Sequence, residues 1–201
     1  MKATEHSITN KCPAVILAGG KSRRMGRDKA MLMVNGSTLL ERAAESLRDY
    51  FDPIYISVNE KRDDLPADCI EIADRFPGSG PMAGLESAFA RCEADCIFIC
   101  AVDLPFLDGK AAHKMVTLLD GHDACVIKRD NGHIEPLFAV YSKKCHKAAV
   151  ELLKGGNNKM ASLLEKCTVR YVSLAQAGIC ESVLTNVNTP EEFEEATKHL
   201  V

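Results

Sequence analysis

Apolar positions fall along this chain in two alternating periods, and the alternation predicts an α/β layout. Ala14-Val15-Ile16-Leu17 is an unbroken, β-rich run that reads as a strand buried on both faces, as in a parallel sheet. After a short apolar segment, Ala30–Val34, the pair Asn35-Gly36 signals a turn, and Ser37 is placed to cap a helix. Leu39, Leu40, Ala43, Ala44 and Leu47 share one face of that helix, while Glu41, Arg42, Glu45 and Arg48 share the other. Phe51-Asp52-Pro53 ends it, Ile54–Val58 is a second buried strand, and a charged loop from Glu60 to Asp68 leads to a short strand, Cys69–Ala73. A glycine- and proline-rich crossing from Phe76 to Gly84 then enters a helix, Leu85–Cys92, and Cys96–Val102 is a continuous apolar strand, central by its hydrophobicity.

The second half continues the alternation. Leu107–Leu119 carries a helical pattern closed by Gly121, and Ala124–Ile127 is a strand. His133–Tyr141 is an apolar strand with Pro136 inside it, which restricts that stretch to an edge, a bulge or a strand start. Ser142 is placed to cap a helix running to Lys154, Gly155-Gly156-Asn157-Asn158 breaks the chain, and a helical piece, Lys159–Glu165, precedes a strand, Thr168–Ser173. The last helix opens with Thr189 as cap, Pro190 at its first position, and Glu191 and Glu192 where the helix dipole favours acids. No internal repeat is present. The expected architecture is one domain over residues 1–201, with a flexible polar lead at Met1–Lys11 and a mostly parallel central sheet covered by helices on both faces.

Candidate chemistry concentrates after the first strand. Gly19 and Gly20 let the backbone turn sharply and approach a ligand closely. From Lys21 to Lys29 five cations, Lys21, Arg23, Arg24, Arg27 and Lys29, stand against a single acid, Asp28, so a polyanion is the natural guest. The spacing is neither that of a Walker A loop nor the Gly-x-Gly-x-x-Gly of dinucleotide folds. Two polar residues end buried strands: Asn59, and Asp103 after the run Cys96–Val102. Carboxyl ends of strands in open α/β sheets are where ligands bind. A carboxylate there, facing the basic loop, suits a hard divalent cation, since magnesium takes one or two carboxylates together with phosphate oxygens and water.

Composition narrows the partners. The overall charge is −3, so the basic loop is a local feature of a slightly acidic chain, which argues against a general nucleic-acid binder. Nine cysteines include no Cys-x-x-Cys pair, and the four-residue spacing of Cys92, Cys96 and Cys100 runs into a strand, where it gives no tetrahedral zinc site. Their place in apolar runs suggests small hydrophobes instead. The polar lead carries no secretory signal and no apolar run approaches the length of a membrane span, so a reduced chain in the cytoplasm is expected.

The stretch Leu17–Lys29 matches Leu-Ala-Gly-Gly-x-Ser-x-Arg-Met-Gly-x-Asp-Lys, the signature of nucleotidyltransferases that activate sugars and pterins. Together with Gly80-Pro81-Met82-Ala83-Gly84, Asp103-Leu104-Pro105 and Asn186–Pro190, it resembles the molybdenum cofactor guanylyltransferases. Two departures are mild: Leu104 stands where Thr or Met is more usual, and Lys159 where an arginine-rich stretch is common. The resemblance implies a three-layer Rossmann-like nucleotidyltransferase fold and transfer of GMP from GTP to the terminal phosphate of molybdopterin, with release of pyrophosphate. It implies catalytic roles for Lys29, Arg24 and Asp103, with Asp103 holding Mg²⁺ (or Mn²⁺). Nucleotide contacts are expected from Leu17, Ala18, Gly19, Gly20, Lys29, Asn59, Asp74 and Asp103, the amides of Ala18 to Gly20 holding phosphates and the Gly80–Gly84 segment closing over the nucleotide. Acceptor contacts are expected from His133, Glu135, Asn186 and Asn188. GTP and molybdopterin are the implied small-molecule partners, with handover to other cofactor-synthesis proteins or acceptor apoenzymes, and neither nucleic acid nor membrane. A cytidylyl- or other nucleotidyltransferase acting on a pterin or sugar phosphate is the alternative of the same class; a non-catalytic nucleotide-binding adaptor is the alternative of another.

Overall fold

The computed structural model describes residues 12–19, 28–34, 36–187 and 189–198, and the lead Met1–Lys11 lies outside them. In chain order the elements are β1 (Ala14–Leu17), the hairpin β2 (Met33–Val34) and β3 (Ser37–Thr38), α1 (Leu39–Arg48), β4 (Ile54–Val58), β5 (Cys69–Ala73) and α2 (Pro81–Arg91). There follow β6 (Cys96–Ala101), α3 (Gly109–Leu118), β7 (Ala124–Lys128), β8 (Ile134–Ser142), α4 (Lys144–Lys154), α5 (Met160–Leu164), β9 (Val169–Val172), α6 (Leu174–Ala177) and α7 (Pro190–Lys198). Seven strands form one sheet in the order β5-β4-β1-β6-β8-β7-β9. All neighbours run parallel except β8, which is antiparallel to both β6 and β7.

The order explains where a ligand can bind. From β1 the chain moves outward to β4 and β5, then returns to place β6 on the other side of β1. At such a reversal the loops leaving the two strands diverge and open a crevice at their carboxyl ends. β1 is the hinge of the arrangement, and its four residues are buried because each face meets a helical layer. Ala14 and Ile16 join a core with Leu40, Leu47 and Met115 from α1 and α3. Val15 and Leu17 join a second core with Leu85, Phe89 and Leu153 from α2 and α4. Helices therefore cover both faces, as the uninterrupted apolar run requires. Full burial of Val15 and Ile16 alone contributes about 1.5–3 kcal/mol each.

Several element ends differ from the sequence expectation, each for a tertiary reason. Ser37 pairs with Val34 in the hairpin, so the capping role moves to Thr38, whose hydroxyl accepts from the Glu41 amide at 3.1 Å while Glu41 Oε2 accepts from the Thr38 amide at 2.7 Å. Ser142 does not cap α4; it pairs with Cys96 as the end of β8, its hydroxyl buried without a partner among the described residues. Helix α2 starts at Pro81, four residues earlier than expected, behind Gly80, whose φ of 68° demands glycine. Strand β8 is interior and not an edge: Pro136 is tolerated because it falls in a bulge, where the register with β7 jumps from Val126↔Ala139 to Ile127↔Glu135. The Thr189 cap is as expected, accepting from the Glu192 amide at 3.1 Å. All nine cysteines are free, and Cys100, Cys125 and Cys145 fill core positions.

Candidate active site

The crevice opens where β1 and β6 release their chains. Leu17 ends β1, its carbonyl accepting from the Val102 amide at 3.2 Å, and the Ala18 amide donates to the Ser57 carbonyl at 3.0 Å. Ala18 therefore cannot offer its N–H to a phosphate, contrary to expectation, because the sheet ladder extends one residue past the strand. Gly19 lies against Asn59: a Cβ there would meet the Asn59 amide nitrogen and Nδ2 at 3.2 Å, so the close approach at this position is between two loops.

Asp28 re-enters the crevice as the cap of a single 3₁₀ turn, Lys29–Met31, with Oδ1 accepting from the Ala30 amide at 3.0 Å. That turn aims Lys29 across the crevice, and its Nζ lies 3.1 Å from Asp103 Oδ2, joining residues 74 apart in the chain. The two side chains keep 22% and 17% exposure, so the pair is shielded yet reachable by small ions. Asp103 Oδ1 is buried without a hydrogen-bond partner among the described residues. An ionised oxygen in that condition is costly unless something cationic meets it.

Three cavities lie side by side along this edge of the sheet. A central one of about 200 Å³ is lined by Leu17, Asp28, Lys29 and Asp103. A wide one of about 1110 Å³ shares Ala18, Gly19 and Asp28 with it and extends past Asn59, Arg62 and Gly80. A third, of about 370 Å³, adjoins the centre through Ala101 and Leu137 and is lined by His133, Glu135, Pro136 and Asn186. The bulged stretch of β8 from Ile134 to Phe138 lines this third cavity. The Val187 amide donates to the Asp103 carbonyl at 3.1 Å, which brings Asn186 to the same rim.

Most of the expected residues are thus gathered, with exceptions. Arg24, Gly20 and Asn188 lie outside the described residues. Asp74 stands behind the wide cavity, not on its lining: its Oδ1 accepts from the Ser57 hydroxyl at 2.7 Å. Burial pushes the Asp74 carboxyl above the ordinary aspartate range, opposed by the Ser57 hydroxyl and reinforced by the charge of Glu86. Glu135 is held by Arg129 Nε at 2.6 Å, so its charge is already countered, and His133 is mostly exposed with Nε2 3.7 Å away. The segment Gly80–Gly84 is no loop over the cavity: only Gly80 and Pro81 face it, and Gly84 is packed inside α2. A Cβ on Gly84 would lie 2.5 Å from Leu17 Cδ2 and Ser57 Oγ, so this glycine lets α2 press on β1 and β4 beneath the site.

Sequence reasoning missed Asp28, Ser57, Arg62 and Arg129. A capping signal existed for Asp28, immediately ahead of the first turn; Ser57 and Arg62 sit in stretches that read as strand and charged linker, and Arg129 in one that reads as a turn. As a metal centre the site offers one carboxylate, since among the described residues no group of three or more His, Cys, Asp or Glu converges. Both Asp28 oxygens are engaged, by the Ala30 amide and by Arg62. This donor set fits a magnesium ion completed by phosphate oxygens and water, and does not fit a protein-enclosed metal.

Residues 14–177 match the family model described as the MobA-like NTP transferase domain. The chain belongs to that family. The chain is 35% identical over 191 residues to the probable molybdenum cofactor guanylyltransferase of Geobacillus sp. (strain WCH70), covering 92% of this chain and 98% of that one. It is also 35% identical to the protein of the same description from Pelotomaculum thermopropionicum, covering 90% of each. The crystal structure of molybdopterin-guanine dinucleotide biosynthesis protein A from Archaeoglobus fulgidus superposes with a TM-score of 0.80 over 94% of this chain and 98% of that one, at 22% identity, which establishes a shared fold.

Proposed function

We infer that this MobA-like chain transfers GMP from GTP to the terminal phosphate of molybdopterin, giving the guanine dinucleotide cofactor and pyrophosphate. The observation that carries the reading is the Lys29–Asp103 pair with its orphaned Oδ1, set between a wide cavity and a third cavity that meet at the reversal of the sheet. The wide cavity receives GTP and the third receives the pterin, so the α-phosphate and the acceptor phosphate meet at Lys29.

The acceptor phosphate is its own nucleophile. A phosphomonoester has a second pKa near about 6 and is ionised at neutral pH, so the protein needs no covalent intermediate and no strong base. Rate comes from in-line alignment and from charge placed where it develops. Lys29 holds charge on the α-phosphate and the departing pyrophosphate, and Arg24 joins it from the cationic loop. Asp103 would hold Mg²⁺ through Oδ1, the oxygen that Lys29 leaves unpaired; bound there, the ion neutralises phosphate charge. Guanine is read by Asn59 and Asp74. Ser57 takes Asp74 Oδ1, which leaves Oδ2 for the N1 and N2 donors of guanine where the base reaches past Asn59 to the carboxylate behind the lining. A base lacking those donors leaves the carboxylate unpaired and is rejected.

Among the described residues no helix is long and apolar enough to cross a membrane. A thermal-shift panel of GTP, CTP, UTP, dTTP and ATP with magnesium tests the base. At 100 times Kd the melting point should rise for GTP alone, by about 2.7 kcal/mol or roughly 5–10 °C. A rise with CTP in place of GTP overturns the guanine assignment. Pyrophosphate release that ignores added molybdopterin overturns the acceptor.

A further inference from the structure

We propose that Arg62 is a positioning residue for guanylyl transfer, acting through Asp28 to fix the 3₁₀ turn that aims Lys29 at the reacting phosphates. This rests on the reading above, and it assigns a task to a loop that otherwise looks like a charged linker. The Arg62 guanidinium is only 13% exposed and divides its donors between two loops. Nε and Nη2 fork onto Asp64 Oδ1 and Oδ2 at 2.9 and 3.0 Å, within its own loop, and Nη1 reaches Asp28 Oδ2. The Arg62 amide donates to Glu71 Oε2 at 2.9 Å, which anchors the loop to β5. The fork fixes the plane of the guanidinium, and the fixed plane presents Nη1 to Asp28.

Asp28 is the relay. Its Oδ1 caps the turn at the Ala30 amide while its Oδ2 is held by Arg62, so the carboxylate cannot rotate without breaking one contact. The next residue is Lys29, whose amine meets Asp103 across the crevice. Arg62 thus joins the wall of the wide cavity to the reaction centre, and both it and Asp28 line that cavity. Alignment of this kind is sensitive, since a displacement of about 1 Å at a reacting group can cost roughly 100-fold in rate.

The test is a double-mutant cycle with Arg62→Gln and Asp28→Asn, read as kcat and KM for GTP. Asp28→Asn keeps an oxygen for the Ala30 amide and removes the acceptor, with its charge, that meets Arg62. If Arg62 works through Asp28, each variant lowers kcat about tenfold with KM for GTP within about twofold, and the double variant is no slower than either single one. Arg62→Lys keeps the charge but has no fork, so it recovers part of kcat; it also serves as the readable variant should Arg62→Gln fold poorly. If Arg62 instead touches the triphosphate directly, Arg62→Gln raises KM, Asp28→Asn does not copy it, and the losses multiply. That result, or wild-type kcat in Arg62→Gln, overturns the proposal. The guanylyltransferase reading is judged separately, by GTP-specific turnover of the unmutated protein.

Discussion

Replacing Asp103 with Asn separates the cost of the site's electrostatics from its use. The side chain keeps its size. Its remaining oxygen can face Lys29 while the amide nitrogen takes the position of the orphaned Oδ1, so a buried unpaired oxygen is exchanged for a buried unpaired NH2 of the same size. What changes is one charge. At 3.1 Å the gross attraction to Lys29 is about 5 kcal/mol with an effective dielectric constant near 20. Both groups are partly solvated and both give up hydration to meet, so the net loss of stability should be about 1 kcal/mol, or roughly 2–4 °C in melting point for a chain of this size. Turnover should fall much further, roughly 100- to 1000-fold, because the carboxylate acts where charge develops. The binding arm reverses sign with magnesium. In EDTA the wild-type carboxylate repels the triphosphate, so Asp103→Asn should bind GTP more tightly than wild type; with magnesium it should bind less tightly. Pyrophosphate release at saturating GTP and molybdopterin, with thermal melts in both buffers, reads all three quantities. Turnover near wild type, or GTP affinity that ignores magnesium in both proteins, refutes the placement of metal at Asp103.

Lys29→Ala should lower kcat by a hundredfold or more, about 3 kcal/mol, with a smaller change in KM for GTP; turnover within threefold of wild type would mean another cation carries the α-phosphate. Gly84→Ala should destabilise by about 1–3 kcal/mol, because its Cβ must displace Leu17 and Ser57 from 2.5 Å, and should raise KM for GTP as Ser57 shifts under Asp74. A melting point and KM equal to wild type would show that α2 does not press on β1 so closely. Asp74→Asn bears on pH. A carboxyl raised in the folded state holds its proton longer there than in the unfolded chain, so stability is lost as pH rises from the unfolded value near about 3.9 through the folded one, and above that the charge is a net cost. The variant should therefore melt higher than wild type at pH 7, converge with it in acid, and lose GTP selectivity. A lower melting point at pH 7 would overturn the sign.

What could be read from the sequence was whatever periodicity and local chemistry encode. The run Ala14–Leu17 and the run ending at Asp103 announced two central strands because burial on both faces leaves no polar position, and a charged residue after such a run has nowhere to go but the strand end. The pairing of those ends was legible only through their chemistry, one cationic loop and one acid. Element starts failed where a neighbour decided them, since Ser37 and Ser142 are good caps that the sheet claimed, whereas the bulge at Pro136 is one of the places its proline allowed. Contacts such as Arg62 with Asp28 or Arg129 with Glu135 leave no trace in spacing, since nothing local distinguishes them from solvated charges. The Ala18 amide illustrates the reverse error, a backbone group assigned to ligand that the fold had already used.

An unpartnered buried atom does not by itself mark a working site. Among the described residues Arg42 Nε, Glu86 Oε2 and Ser142 Oγ share that condition with Asp103 Oδ1. Glu86 is fully buried in α2, where its other oxygen is met by Arg75 at 2.9 Å and His146 at 3.3 Å. Its charge is thus answered within the packing of α2 against α4. Asp103 differs because it opens onto a cavity, at the reversal of the sheet, with Lys29 on one oxygen. Stability alone would favour an apolar residue at such a place, since partly buried ion pairs seldom outperform good packing. A carboxylate retained among cations that would otherwise bind a triphosphate more tightly must do something the triphosphate cannot do for itself. Holding a divalent ion against it is the task proposed for this carboxylate, and the contact with Lys29 at 3.1 Å aims it at the cavity where ion and nucleotide would meet.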